Sequence, residues 1–102
     1  MSSVSFIIPV YNKSSFLKYV INCLKNQSGD FEREFIFVDD GSTDNSYEII
    51  SSLTKDLGNT QIFRQKNLGS ANATNIGIRS ARKKYLKFLA PCYQLNCCCL
   101  KS

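Results

Sequence analysis

After Asp56 the sequence contains no acidic residue. All eight acids stand at or before that position, while Arg64, Lys66, Arg79, Arg82, Lys83, Lys84, Lys87 and Lys101 follow it, so the first 56 residues carry a formal charge of −3 and the rest carry +8. A wholly basic second part points to phosphate, nucleic acid or an anionic surface as partner, against the plainer reading of a solvated basic face. A long apolar run is also missing, since nothing approaches the roughly 18 residues that a membrane span needs. The opening "MSSVSFIIPVYN" has neither the basic region nor the cleavage site of a signal peptide. The chain is therefore expected to be cytoplasmic, free or peripheral to the inner face of a membrane. Paired cysteines are missing as well: Cys23 stands alone in a helical pattern and reads as core, whereas Cys92, Cys97, Cys98 and Cys99 crowd the last eleven residues. An odd count without a secretory signal argues against a disulfide framework.

What is present suffices for one small core. At 102 residues a chain buries roughly 65% of its unfolded surface. "VSFIIPV", residues 4–10, is nearly continuous in apolar residues, as a parallel strand buried on both faces would be. The period then changes, with Leu17, Val20, Ile21 and Leu24 making the stripe of a helix, and Ser14 or Ser15 placed to cap it. "EFIFVDD" predicts a second strand. "GSTDNSYEIISSL" predicts a second helix with Ile50, Leu53 and Leu57 on one face and Gly58 as its C′ residue. "TQIFRQ" predicts a third strand, and "NLGSANATNIGIRSARKK" a loop into a third helix whose small face is Ala73, Ile76, Gly77 and Ser80. "YLKFL", residues 85–89, predicts a fourth strand. The expected class is α/β: a parallel βαβαβαβ sheet with helices on both faces, joined by right-handed crossovers.

Asp39 and Asp40 end the second strand where a glycine turn begins. In an open parallel sheet ligands bind outside the carboxyl ends of the strands, at the point where strand order reverses. One reading is a dinucleotide site, in which an acid holds a ribose hydroxyl, but that site needs a glycine-rich turn after the first strand, and "PVYNKSS" has no glycine. A second reading is a nucleoside clamp, one carboxylate accepting the imide N–H of uracil or thymine and its neighbour accepting ribose hydroxyls. The third is an acidic turn that favours the helix start, with Ser42, Thr43 and Asp44 available as caps.

Taken together, "SFIIPVYN", "FIFVDDGSTDNS" and "NLGSANATNIGIRSARKKYLKFL" resemble the family 2 glycosyltransferases, over residues 4–89. The resemblance implies the Rossmann-like, nucleotide-sugar-binding half of a GT-A fold as residues 1–89, followed by an irregular cysteine-rich tail, 90–102. It implies a nucleotide-diphospho-sugar donor, such as a UDP-sugar, whose sugar passes to an acceptor hydroxyl. By the same resemblance Pro9, Val10, Tyr11 and Asn12 line the nucleotide pocket, Asp40 contacts the base, and Asp39 supports the pocket or the ribose. Asn67 and Gly69 match the loop before the third helix, and Asn75 matches the asparagine of an Ala-Arg-Asn stretch. Thr74 stands where the arginine is common and Lys13 where an acid often follows. Asp40, at a strand end, is expected to be replaceable without loss of fold.

The resemblance breaks at Ala90, Pro91 and Cys92, aligned with an Asp-x-Asp motif through which the family holds Mg or Mn against the diphosphate. None of the three offers a hard oxygen side chain. No metal site and no catalytic residue are expected here, and the domain alone is expected to be inactive, as a truncated or frame-shifted product, a subunit completed by another chain, or a stand-alone nucleotide-binding protein. Arg64, Lys66 and Arg79 are expected to substitute in part at the phosphates. "CYQLNCCC" lacks the paired spacing of a zinc site, and Lys101 in "CLKS" argues against prenylation. The fourth strand would be an edge open to self-association. A basic nucleic-acid module is the rival reading, weakened by the lack of interleaved exposed aromatics over residues 64–87.

Overall fold

The computed structural model describes residues 3–26 and 32–88. The elements run β1 (Ser3–Val10), α1 (Ser14–Lys25), β2 (Glu32–Asp40), α2 (Ser46–Leu53), β3 (Thr60–Gln65), α3 (Ser70–Ser80) and β4 (Tyr85–Phe88). All strand pairs are parallel, in the order β3-β2-β1-β4. Parallel neighbours must be joined by crossovers, and the helical periods between the strands supply them. Leu89 and the tail, with Cys92 and the three cysteines after it, lie outside the described residues.

Strand alternation sorts the core into two layers. Phe6, Ile8, Val10, Phe35 and Phe37 face α1 and α2, where Leu17, Val20, Ile21, Leu24 and Ile50 pack on them, with Cys23 buried among them as expected. Ile36 and Val38 face α3 through Ala73. Helices therefore cover both faces, as the sequence predicts, and β1 and β2 are the strands buried on both sides. The small face of α3 has a steric cause: a Cβ on Gly77 would stand 2.3 Å from Ile7 Cγ2. Gly77→Ala gains up to about 1 kcal/mol of helix propensity but overpacks a buried, branched neighbour, which costs about 1–3 kcal/mol. The variant is expected to unfold at lower urea than the parent; equal or higher midpoints would contradict the contact.

Local expectations fail at the helix ends. Neither Ser14 nor Ser15 caps α1, whose N-cap is Lys13 with no side-chain cap bond. Instead the start of α2 and the loop before it serve those amides, Ser46 Oγ accepting from Lys13 N at 3.0 Å and Asp44 Oδ2 from Ser14 N at 3.2 Å. At the other end α2 stops at Leu53, before the predicted C′ glycine. Thr54 Oγ1 donates to the Ile50 carbonyl at 2.6 Å, and Leu57 N closes a turn onto the Thr54 carbonyl at 3.0 Å. Leu57 still packs on the core, but from that turn. Gly58, with φ of 97°, ends the turn and not the helix.

Candidate functional site at the strand ends

From β1 the chain steps outward to β2 and β3 through α1 and α2, then returns through α3 to β4 on the far side of β1. Strand order therefore reverses between β1 and β4, and the crevice at their carboxyl ends is the place where such sheets take ligands. The acid pair closes β2, one strand away from that reversal.

Asp39 and Asp40 do not converge on one point. Residues alternate across a strand, and Asp39 follows Phe35 and Phe37 toward α2 whereas Asp40 follows Ile36 and Val38 toward α3. The contacts agree. Asp39 is fully buried; its Oδ2 accepts from Ser42 N at 3.2 Å and lies 3.5 Å from Arg64 Nε. Its Oδ1 is buried without a partner. Asp40 Oδ1 accepts from Gln65 Nε2 at 2.7 Å and Leu68 N at 2.8 Å, and Oδ2 accepts from Gly69 N at 3.1 Å. Asp40, 4% exposed, is thus the anchor of the loop from β3 to α3. The expectation that its removal spares the fold does not agree with this geometry.

The other residues singled out in the sequence divide in the same way. Val10 is buried in the core, so its side chain does not line the crevice, while Tyr11 is 41% exposed at the strand end. Pro9 is half-buried on β1. Asn12 turns its side chain to the neighbouring loop, where Oδ1 accepts from Thr43 N at 2.8 Å. Asn67 meets the glycine turn: a Cβ on Gly41, whose φ is 70°, would lie 2.7 Å from Asn67 N, so only glycine lets the two loops approach. Gly69 adopts φ of 100° immediately before α3. Asn75 is on the exposed side of α3.

Of the three basic residues expected at the phosphates, Arg64 is committed to an acid within the fold. Arg64 is held between Asp39 and the Tyr47 ring, 4.6 Å from its centroid. Arg79 stands in the last turn of α3, at the opposite end of the sheet from the strand-end crevice, next to Ser80, whose carbonyl meets Gln61. It is too far along the helix for the phosphate role expected of it. Lys66 is exposed beside the loop.

At that opposite end lies a cluster that sequence reasoning missed. Glu34, fully buried, accepts from Ser5 Oγ at 2.7 Å, Arg82 N at 2.9 Å, Arg82 Nε at 3.1 Å and Gln61 Nε2 at 3.1 Å. Ser5 Oγ in turn accepts from Lys83 N at 3.1 Å. The available signal was a polar residue directly before the apolar run of each of two neighbouring strands, Ser5 before "FIIPV" and Glu34 before "FIFV". Burial by itself raises the Glu34 pKa, but the bonds from Arg82, Ser5 and Gln61 outweigh it and hold the pKa below its ordinary value. Asp44 shows the same balance: burial raises its pKa, and bonds from Ser46 and Ser14 bring it below the usual value.

Among the described residues no three His, Cys, Asp or Glu side chains gather to hold a metal ion. The positions aligned with the family's metal motif lie outside the described residues. No helix of the described residues is long and apolar enough to cross a membrane.

These features define a Rossmann-like α/β domain with an acid-bearing, glycine-turned site at its strand ends. The sequence model for "Glycosyl transferase family 2" matches residues 5–90, and the chain belongs to that family. It is 43% identical over 91 residues to an uncharacterized glycosyltransferase of Haemophilus influenzae, covering 87% of this chain and 36% of that protein. It is 41% identical over 91 residues to the minor teichoic acid biosynthesis protein GgaA of Bacillus subtilis, covering 83% of this chain and 20% of that protein. The chain thus spans about a third or less of the length of these curated relatives. Among solved structures, S. aureus TarS 1-349 in complex with UDP-GlcNAc superposes with a TM-score of 0.77 at 24% identity, over 89% of this chain and 26% of that chain. That likeness is one of fold, the GT-A fold.

Proposed function

We propose that the chain binds a nucleotide-diphospho-sugar at the carboxyl ends of β1 and β2 and, by itself, does not transfer the sugar. The family match carries the reading, because residues 5–90 contain every strand-end residue described above. The geometry supports it. Asp40 Oδ2 takes one protein donor and keeps a lone pair for an imide N–H, and Tyr11 is exposed beside it in the row of strand ends. The N-terminus of α3 opens at the same end, where its free amides favour an anion. The TarS complex with UDP-GlcNAc supports the choice of ligand class.

Metal neutralisation of a departing diphosphate is worth several kcal/mol, and each 1.36 kcal/mol is about a factor of ten in rate. Ala90, Pro91 and Cys92 offer no oxygen side chain for that ion. UDP or UDP-GlcNAc, added to the isotope-labelled chain, is expected to shift the amide resonances of Tyr11, Leu68 and Gly69, weakly and with no dependence on Mg or Mn. UDP release from UDP-GlcNAc is expected to stay at the buffer rate. Absence of shifts at millimolar nucleotide would sink the binding reading, and acceptor-dependent release of UDP would sink the inactivity.

The edge supports one more inference about partners. β4 pairs with β1 on one side, and among the described residues nothing pairs with its other edge; on its faces Tyr85 and Leu86 are 52% and 42% exposed. An unpaired strand edge with apolar side chains templates a further strand. Self-association at micromolar concentration is expected by light scattering, and a monodisperse monomer would refute it.

A further inference from the structure

The turn from β1 into α1, Tyr11 to Lys13, has no glycine or proline to set its shape. Yet Asn12 adopts φ of 51°, the left-handed region that asparagine tolerates better than most residues. The neighbouring loop holds it there. Asn12 Oδ1 accepts from Thr43 N at 2.8 Å, Thr43 Oγ1 at 3.3 Å and Asp44 N at 3.3 Å, and Asn12 N donates to Ser42 Oγ at 2.9 Å. The next two amides are tied to the same loop and the helix it enters, Lys13 N to Ser46 Oγ at 3.0 Å and Ser14 N to Asp44 Oδ2 at 3.2 Å. An amide oxygen that takes three donors has no lone pair left for a ligand. Immediately before this clip stands Tyr11, exposed at the strand end, and before that Val10, locked in the core.

We propose that Asn12 is a positioning residue of the strand-end site: it clips the left-handed turn onto residues 42–44 and so sets where Tyr11 and the β1 terminus meet a nucleotide, without touching the nucleotide itself. The inference rests on the nucleotide-binding reading above. It differs from the resemblance, in which Asn12 lines the pocket, and the two roles separate by substitution. Alanine lacks both the acceptor and the tolerance for this φ; aspartate retains both. If the binding-competent turn falls to about a tenth of molecules in Asn12→Ala, the apparent Kd rises about tenfold.

The test titrates uridine, an uncharged probe without a diphosphate to be repelled, into wild type, Asn12→Ala and Asn12→Asp. The expected result is a weakening of about tenfold in N12A and recovery to within about threefold of wild type in N12D. Equal affinity of N12A and wild type would overturn the proposal. So would N12D binding no better than N12A, because that marks the side-chain NH2 as a direct ligand contact. Amide hydrogen exchange on the wild type needs no variant to fold: the Thr43 and Asp44 amides are expected to exchange at least about tenfold more slowly than unprotected ones. Unprotected rates at both would remove the clip. If wild type binds neither uridine nor UDP, the nucleotide reading fails, while the exchange rates still judge the clip by themselves.

Discussion

Asp40→Ala is expected to lower the unfolding free energy by about 3 kcal/mol and to release the loop between β3 and α3. Three donors converge on the Asp40 carboxylate, two of them backbone amides of that loop, at 2.7, 2.8 and 3.1 Å. A buried donor left without a partner costs about 1–3 kcal/mol, so three cost about 3–9 kcal/mol. Leu68 is 61% exposed, so water replaces part of what its amide loses, which places the sum near the lower end. Urea unfolding should show a lower midpoint at unchanged slope. Native-state exchange should show the Leu68 and Gly69 amides opening first, because their acceptor is gone. A change within about 0.5 kcal/mol, the range of ordinary surface substitutions, would show that the carboxylate does not anchor the loop. The result bears on function. Loss of nucleotide binding in this variant alone does not identify Asp40 as a base contact, since the loop that carries Asn67 and Gly69 is lost with it.

Glu34→Gln is expected to cost about 2–3 kcal/mol at neutral pH. The variant keeps the shape but turns an amide NH2 toward donors that now need an acceptor: Ser5, Gln61 and Arg82 together supply four. Removing one partner from a buried ion pair costs about 3–5 kcal/mol. Arg82 is 66% exposed on its side chain and recovers part of that in water, which brings the cost to or below the lower figure. The pH dependence gives an independent check. Glu34 in the folded chain has a pKa below the ordinary 4.5, so the unfolded chain takes up its proton first as acid is added. The stability it contributes is fully present above about pH 4.5 and is lost as pH falls through the folded value. Asp44 adds a loss of the same sign, beginning from its lower ordinary value of 3.8. Stability measured from pH 7 to pH 3 should therefore fall in the acid range, and less steeply for Glu34→Gln. Parallel curves for the two proteins would exclude Glu34 as a source of the acid sensitivity.

Element order, parallel pairing and the two-sided core were legible because each rests on a period that a short stretch of chain carries by itself. Apolar runs of strand length alternate with helical stripes, and a chain so patterned has few ways to bury both. Gly77 could be placed against the sheet for the same reason, as part of a small-residue face. The strand-end motifs were legible too, and with them the family. The arrangement within the site was not. Neighbouring aspartates look like partners in a sequence, but the pleat sends Asp39 to Arg64 and Asp40 to the loop before α3. The bonds to the first amides of α1 come from Asp44 and from Ser46 at the start of α2, 30 and 33 residues away, so no local rule could name them. Glu34 finds Ser5, Gln61 and Arg82 only because four segments meet at the amino ends of the strands. Periodicity acts through backbone geometry within one element and survives in the linear order of residues. A buried carboxylate must find its donors wherever packing brings them within about 3 Å, and that distance exists only after the chain has folded.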